Sequence, residues 1–237
     1  DRDLVHPEDV FSGFSSQEIP ESFDAREAFP ECADIIGHVR DQANCGSCWA
    51  FASTEAFNDR LCIASKGEFT TLLSPMDTLN CCGFFKCASM GCNGGQPAMA
   101  WKFFKTNGVV SGGDFEDIGS GNTCLPYKFE SCAHHVDDPE RPDCSKTRAG
   151  SAQGCRKTCD EATYATSYTK DKYFVDSAYS LRFGGIEGIQ RDIMTYGPVS
   201  AAFLVYDDFP AYKSGVYSHS KGQQLGGHAV KIIGWGV

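Results

Sequence analysis

The chain has 237 residues, 41% of them hydrophobic, with 25 glycines, 13 cysteines and a formal charge of −10 at pH 7. That length and apolar content suffice for one sizeable core or two lobes sharing an interface, which excludes the disordered class. The acidic balance excludes a basic footprint for nucleic acid or an anionic membrane surface, and no apolar run approaches the length of a membrane span.

In chain order, residues 1–19 are polar and without period, and read as an exposed arm. The opening "DRDLVHPEDV" has neither the basic start nor the apolar centre of a secretory signal, so any such signal is expected to have been removed. Ala50, Thr54, Phe57 and Leu61 share one helical face and Lys66-Gly67 gives a stop, which predicts a helix over 47–65 with Cys48 in its first turn. Ser74 as N-cap, Pro75 at the first helical position and Asp77 near the positive end begin a second helix. Pro97 and Asn107-Gly108 bracket a third. From Gly108 to about residue 165, Gly, Asp, Pro and Cys dominate, a long loop region that needs covalent bracing. Three strand-like runs follow: "VSAAFLVY", "GVYSH" and "HAVKIIGWG". The pattern is α+β, with a mainly helical lobe over 20–109, a β-rich lobe over 110–237 and a cleft between them.

Thirteen cysteines are too many for a reduced cytosolic protein without metal, and an oxidised framework of six bridges leaves one sulfur over. That thiol is an accident, an intermolecular link or a reactive group. The positive end of a helix favours a thiolate at Cys48, whereas Cys45 lies in the turn before. A thiolate nucleophile needs a proton-handling partner, and His228 follows two glycines and opens an apolar strand, which aims an imidazole at the cleft. Gln42, six residues before Cys48, offers a neutral amide that can meet an oxyanion together with the Cys48 N–H. Taken alone, Cys45-Gly-Ser-Cys48 also reads as a redox pair or half a zinc site, and His228 as a core histidine.

The stretch "QANCGSCWAF" resembles the active-site segment of papain-like cysteine peptidases. With "ESFDARE", "CCGFFKC", "GCNGG", "SGVYSH" and "GGHAVKIIGWG", the likeness runs from about Ile19 to the last residue. Adjacent histidines in "CAHHV", inside a cysteine-flanked loop over 124–144, resemble the occluding loop of that family's cathepsin B branch. The resemblance implies a disulfide-rich two-lobe fold, a helical left lobe and a β-barrel-like right lobe with the active-site cleft between. It implies the bridges Cys32–Cys62, Cys45–Cys92, Cys81–Cys155, Cys82–Cys87, Cys124–Cys159 and Cys132–Cys144, leaving Cys48 as the nucleophile.

By the same resemblance, His228 holds an imidazolium beside the Cys48 thiolate and protonates the leaving amine, and Gln42 stabilises the oxyanion. His134 and His135 capture a substrate's terminal carboxylate, so that dipeptides leave from C-termini, with endopeptidase activity when the loop lifts. Protonation of these two histidines favours that capture in acid, so dipeptide release should fade towards neutral pH. Asp41 and Arg141 tether the loop. Gly94, Gly95 and Gly227 meet an extended substrate, and Pro97, Ala202 and Ala229 line the pocket for the side chain two residues before the scissile bond. Gln96 stands where that branch usually has tyrosine, which makes one wall more polar. The family continues past "GWGV" with the asparagine that orients the histidine, so the chain reads as C-terminally incomplete, and residues 1–19 resemble the tail of a propeptide and so imply a zymogen.

The expected partners are peptide and protein substrates, a propeptide and cystatin-like inhibitors. A monomer in a lysosome-like acidic compartment or a secreted setting is expected, with no metal, cofactor, nucleic acid or membrane. No N-x-[ST] sequon occurs, so no glycan is expected in this stretch. Two rivals stand beside the peptidase: a catalytically silent, disulfide-rich binding protein with a papain-like cleft, and a thiol oxidoreductase using Cys45 and Cys48.

Overall fold

The computed structural model describes residues 18–134, 138–182 and 184–236, so most of the arm over 1–19, and His135, lie outside the described residues. A two-residue strand, β1 (Phe23–Asp24), and two short helices, α1 (Ala25–Ala28) and α2 (Ala33–Gly37), lead into α3 (Cys48–Ala64), which falls within the predicted 47–65. Trp49, Ala50, Phe51, Ala52, Ala56 and Phe57 of α3 are buried, and so are its polar Ser53, Thr54, Asn58 and Asp59. A helix buried nearly all round must satisfy its polar side chains inside the protein. Thr54 Oγ1 lies 2.8 Å from Thr78 Oγ1, and Asn58 donates to Thr71 O while accepting from Leu73 N.

Helix α4 (Pro75–Cys81) starts as its sequence requires, with Ser74 Oγ accepting from Asp77 N at 2.9 Å. A short α5 (Phe84–Cys87) follows, then α6 (Pro97–Thr106), which lays Phe104 on Phe57 of α3 at 5.4 Å between ring centroids. Among the described residues of 110–182 the only helical elements are short 3-10 turns, yet Val110, Leu125, Tyr127 and Tyr168 are buried in the same core as the helices.

Helix α7 (Gly185–Tyr196) has no counterpart among the sequence expectations, because glycines at 184, 185 and 188 argue against a helix by propensity. Tertiary contact overrides that preference. Arg60 of α3 pairs with buried Asp192, donates to Pro198 O at 2.8 Å and to Tyr179 Oη at 2.9 Å, and so docks α7. Gly197, at φ 101°, closes the helix by donating to Ile193 O.

Strand β2 (Val199–Tyr206) pairs antiparallel with β3 (Gln224–Ile232), placing Phe203 opposite His228 and Ala202 opposite Ala229. β4 (Gly234–Trp235) returns to β1, where Trp235 stacks on Phe23 at 4.9 Å. Two strand expectations are corrected here, and the barrel-like form of the right lobe is not shown by the described residues. A barrel requires each strand to bond two neighbours; the described residues form two separate two-stranded sheets and no closed barrel. "GVYSH" is a loop, because the Asp208 carboxylate captures the Tyr217 hydroxyl and the backbone N–H groups of Ser220 and Lys221. β3 begins four residues before His228, so His228 sits within the strand and does not open it.

Candidate active site

Cys48 is the first residue of α3 and the free cysteine, half-buried, while Cys45 is bonded to Cys92. A Cys45–Cys48 redox pair is thereby absent from this structure. Gly46 N donates to Cys92 O at 2.9 Å, and a Cβ on Gly46 would fall 2.4 Å from that oxygen, so this crossing admits only glycine. The other bridges join Cys32 to Cys62, Cys81 to Cys155, Cys82 to Cys87, Cys124 to Cys159 and Cys132 to Cys144. Among the described residues the Cys48 N–H has no hydrogen-bond acceptor, which leaves a donor at the electropositive end of α3.

His228 is carried by β3, whose neighbouring Ala229 belongs to the core cluster against which Cys48 packs. Its half-buried ring meets Phe203 edge-on at 5.9 Å and has no hydrogen-bond partner among the described residues. Burial first, and the charge of His134 second, hold the His228 pKa below the ordinary imidazole value.

Gln42 precedes Ala43, which takes a left-handed φ of 54° as the chain turns towards α3. The Gln42 Nε2 amide donates to Cys45 O at 2.8 Å, leaving its second hydrogen for another acceptor. Next to it, Asp41 ties the loop to the segment that leads into Cys48: its carboxylate accepts from Ala43 N at 2.7 Å and Cys132 N at 3.1 Å. Asp41 also lies 3.2 Å from His134 Nε2 and 3.3 Å from Arg141 Nη1. Arg141 reaches Asp138 as well, at 2.7 Å. Asn44 Nδ2 donates to Cys144 O and Thr147 O, a second attachment of the loop. Cys132, His134 and Cys144 bring three possible metal-ligand atoms within 4.8 Å, but the two sulfurs are joined in a disulfide and offer no thiolate.

The Gly94-Gly95 turn sits on Trp49, which follows Cys48. A Cβ on Gly95 would fall 2.4 Å from the Trp49 ring, so glycine is required for that approach. Among the described residues Gly95 N–H and C=O form no hydrogen bond, so both are available to an extended ligand. Pro97 and Ala202 line one groove of about 990 Å³ with Gln96, Trp101 and Ala201. Ala229 backs Ala202 across the ladder, and Gly227 faces Leu204. The structure thus gathers Gln96, Pro97 and Ala202 in one groove and sets His228, Ala229 and Gly227 along one strand. One residue that sequence reasoning missed also reaches this site. The Tyr127 hydroxyl donates to Gln42 O and lies 2.8 Å from the Oγ of Ser47, a residue of the "CGSC" stretch, whereas Tyr127 itself belongs to no pattern that marks it in the sequence.

Comparison with known proteins identifies a family. Residues 19–237 match the profile of the papain family cysteine proteases. The "Cathepsin B-like cysteine proteinase 5" of Caenorhabditis elegans is 45% identical over 97% of this chain, which spans 65% of that protein. The "Cathepsin B-like cysteine proteinase" of Schistosoma japonicum is 45% identical over 93%, which spans 61% of it. The chain thus spans less than two thirds of the length of either curated relative. Among solved structures, proCathepsin B S9 from Trypanosoma congolense superposes with a TM-score of 0.74 at 31% identity, over 99% of this chain and 67% of that one. Among the described residues, no helix is long and apolar enough to cross a membrane.

Proposed function

Since the chain belongs to the papain family of cysteine proteases, we propose that it hydrolyses peptide bonds in peptides and proteins, with Cys48 as nucleophile and His228 as proton carrier. The observation that carries this reading is the free Cys48 at the N-terminus of α3, with an unbonded N–H, beside the strand that bears His228. The Cys48 thiolate adds to the carbonyl carbon, and the negative charge moves to the carbonyl oxygen. Cys48 N–H and Gln42 Nε2 donate to that oxygen. The C–N bond breaks as the His228 imidazolium gives its proton to the leaving amine, and a thioester remains. Water then loses a proton to His228 and adds to the thioester, releasing the acid and the thiolate.

Extended substrate pairs with the free backbone groups of Gly95 beside Gly94, and places the side chain two residues before the scissile bond in the groove between Pro97 and Ala202. A lobe of α-helices faces β2 and β3 across that cleft, and the strands form the start of a barrel-like lobe. The loop held by Asp41 and Arg141 presents His134 to the terminal carboxylate of a substrate, with His135, which lies outside the described residues, as its partner in that capture. C-terminal dipeptides are then the preferred products. A propeptide and cystatin-like inhibitors occupy the same cleft, the chain works as a monomer, and its setting is lysosome-like or secreted.

Turnover of a dipeptide-releasing substrate and of an internally quenched endopeptide tests this reading. Wild type should cleave both, and Cys48→Ala neither. His134→Gln should lower dipeptide release about tenfold, the usual size of one charge-assisted hydrogen bond, and spare endopeptide cleavage. A wild-type protein that cleaves neither substrate overturns the proposal.

A further inference from the structure

The Tyr127 hydroxyl lies where the two segments carrying the oxyanion donors meet. It donates to Gln42 O at 2.7 Å and lies 2.8 Å from Ser47 Oγ. With its single proton directed at Gln42, the phenol oxygen accepts from the Ser47 hydroxyl. Tyr127 is 1% exposed and Ser47 is fully buried, so no water replaces either bond. Burial pushes the phenol far above its ordinary pKa and keeps it a donor at every working pH. The ring itself is wedged edge-on between Phe51, at 4.7 Å, and Phe129, at 5.2 Å, which fixes where the hydroxyl points.

Both ends of this bridge need restraint. Ala43 holds a left-handed φ of 54°, a conformation unfavourable for alanine that persists only under outside contacts. Tyr127 supplies one such contact through Gln42 O, and Asp41 supplies another through Ala43 N. At the other end, Ser47 immediately precedes Cys48, whose N–H is the second oxyanion donor.

We propose that Tyr127 is a positioning residue: its hydroxyl, bonded to Ser47 on one side and to Gln42 on the other, sets the separation of the Cys48 N–H and the Gln42 amide that receive the oxyanion. The inference rests on the cysteine-peptidase reading. It concerns the transition state, where the oxyanion forms, so loss of the hydroxyl should appear in kcat and leave KM nearly unchanged.

The test is Tyr127→Phe in the full chain, which removes one oxygen and keeps the ring. Peptide-amide turnover is compared with the rate of Cys48 alkylation by iodoacetamide, a displacement that forms no oxyanion. The expected result is a kcat at least tenfold lower, with KM, alkylation rate and melting temperature close to wild type, as a small misplacement of donors predicts. A peptide aldehyde, whose adduct carries the oxyanion, should bind at least tenfold more weakly. Ser47→Ala should lose part of the same activity, and the double variant no more than Tyr127→Phe alone, because both break one chain of bonds. Parallel loss of alkylation and turnover, or unchanged kcat, overturns the role given to Tyr127 while wild-type turnover upholds the peptidase. If Tyr127→Phe does not fold, Ser47→Ala carries the same comparison, and unchanged kcat and aldehyde affinity there overturn the inference. A wild-type protein without turnover overturns the peptidase reading, and this role falls with it.

Discussion

His228 shows how one residue's surroundings tune the proposed chemistry. Its ring is half-buried, has no hydrogen-bond partner among the described residues, and shares its neighbourhood with His134, so burial and a like charge both disfavour the imidazolium. A base with a lowered pKa in the fold contributes stability above its ordinary value, lost as pH falls through that range. Replacing His134 by Gln removes the like charge, so the His228 pKa should rise. NMR titration of the His228 ring reads this directly, and the alkaline limb of endopeptide cleavage should move to higher pH with it. An unchanged titration would show that His134 does not act on His228. At this scale the residues proposed as nucleophile and proton carrier, Cys48 and His228, are marked in the sequence by a helix start and a glycine pair. Tyr127 is not, since the Pro-Tyr of a loop shows no period and its two bonds join residues 85 and 80 positions away.

Between elements, the contact of α3 with β3 is an ionic one. Glu55 and Asp59, one turn apart on α3, face Lys231, three residues beyond His228 on β3. Lys231 Nζ lies 2.8 Å from Asp59 Oδ2 and 3.8 Å from Glu55 Oε2, and it donates to Ile36 O at 3.0 Å. The Asp59 contact is in ion-pair range but lacks the geometry of a hydrogen bond, and neither oxygen of this buried carboxylate has a hydrogen-bond partner. Burial, opposed by Lys231, raises the Asp59 pKa to about 7, and Glu55 moves the same way. An acid whose pKa rises on folding gives stability that is complete below its unfolded value near 3.9 and is lost as pH climbs through about 7. The urea midpoint should therefore fall between pH 5 and pH 7.5. Asp59→Asn, which cannot ionise, should flatten that fall, and an equally steep fall in the variant would assign the pH dependence to other groups. The helix of this pair was legible from its apolar face and stop signal. Its charged face was not, because the helical pattern alone does not say what Glu55 and Asp59 face, and the strand that covers them brings Lys231 from 172 positions beyond Asp59. Helix α7 was hidden for a related reason: its glycines oppose a helix, and Arg60 supplies what propensity withholds.

Across the whole molecule, the long irregular segment over 110–182 keeps its place by burying side chains against the helices and by covalent bracing, as its composition foretold. Which cysteines join could be named from family resemblance alone, since spacing leaves on the order of a hundred thousand pairings open. The bridges also differ in what they connect. Cys45–Cys92 joins positions 47 residues apart and ties the turn before the nucleophile to the turn that presents Gly94 and Gly95, whereas Cys82–Cys87 spans 5 and braces only the local turn of α5. Chain-entropy reasoning assigns about 4 kcal/mol to the first loop and about 2 kcal/mol to the second. Replacing both cysteines of each pair by alanine and measuring urea unfolding should reproduce that order. Peptide turnover should separate the pairs further. Losing Cys45–Cys92 frees the Gly46–Cys92 crossing and should lower kcat/KM in conditions where the variant remains folded, while losing Cys82–Cys87 should leave kcat/KM of the folded fraction within about twofold. Equal losses of activity from the two pairs would mean that the first bridge stabilises the chain without aligning the nucleophile with the substrate-pairing turn.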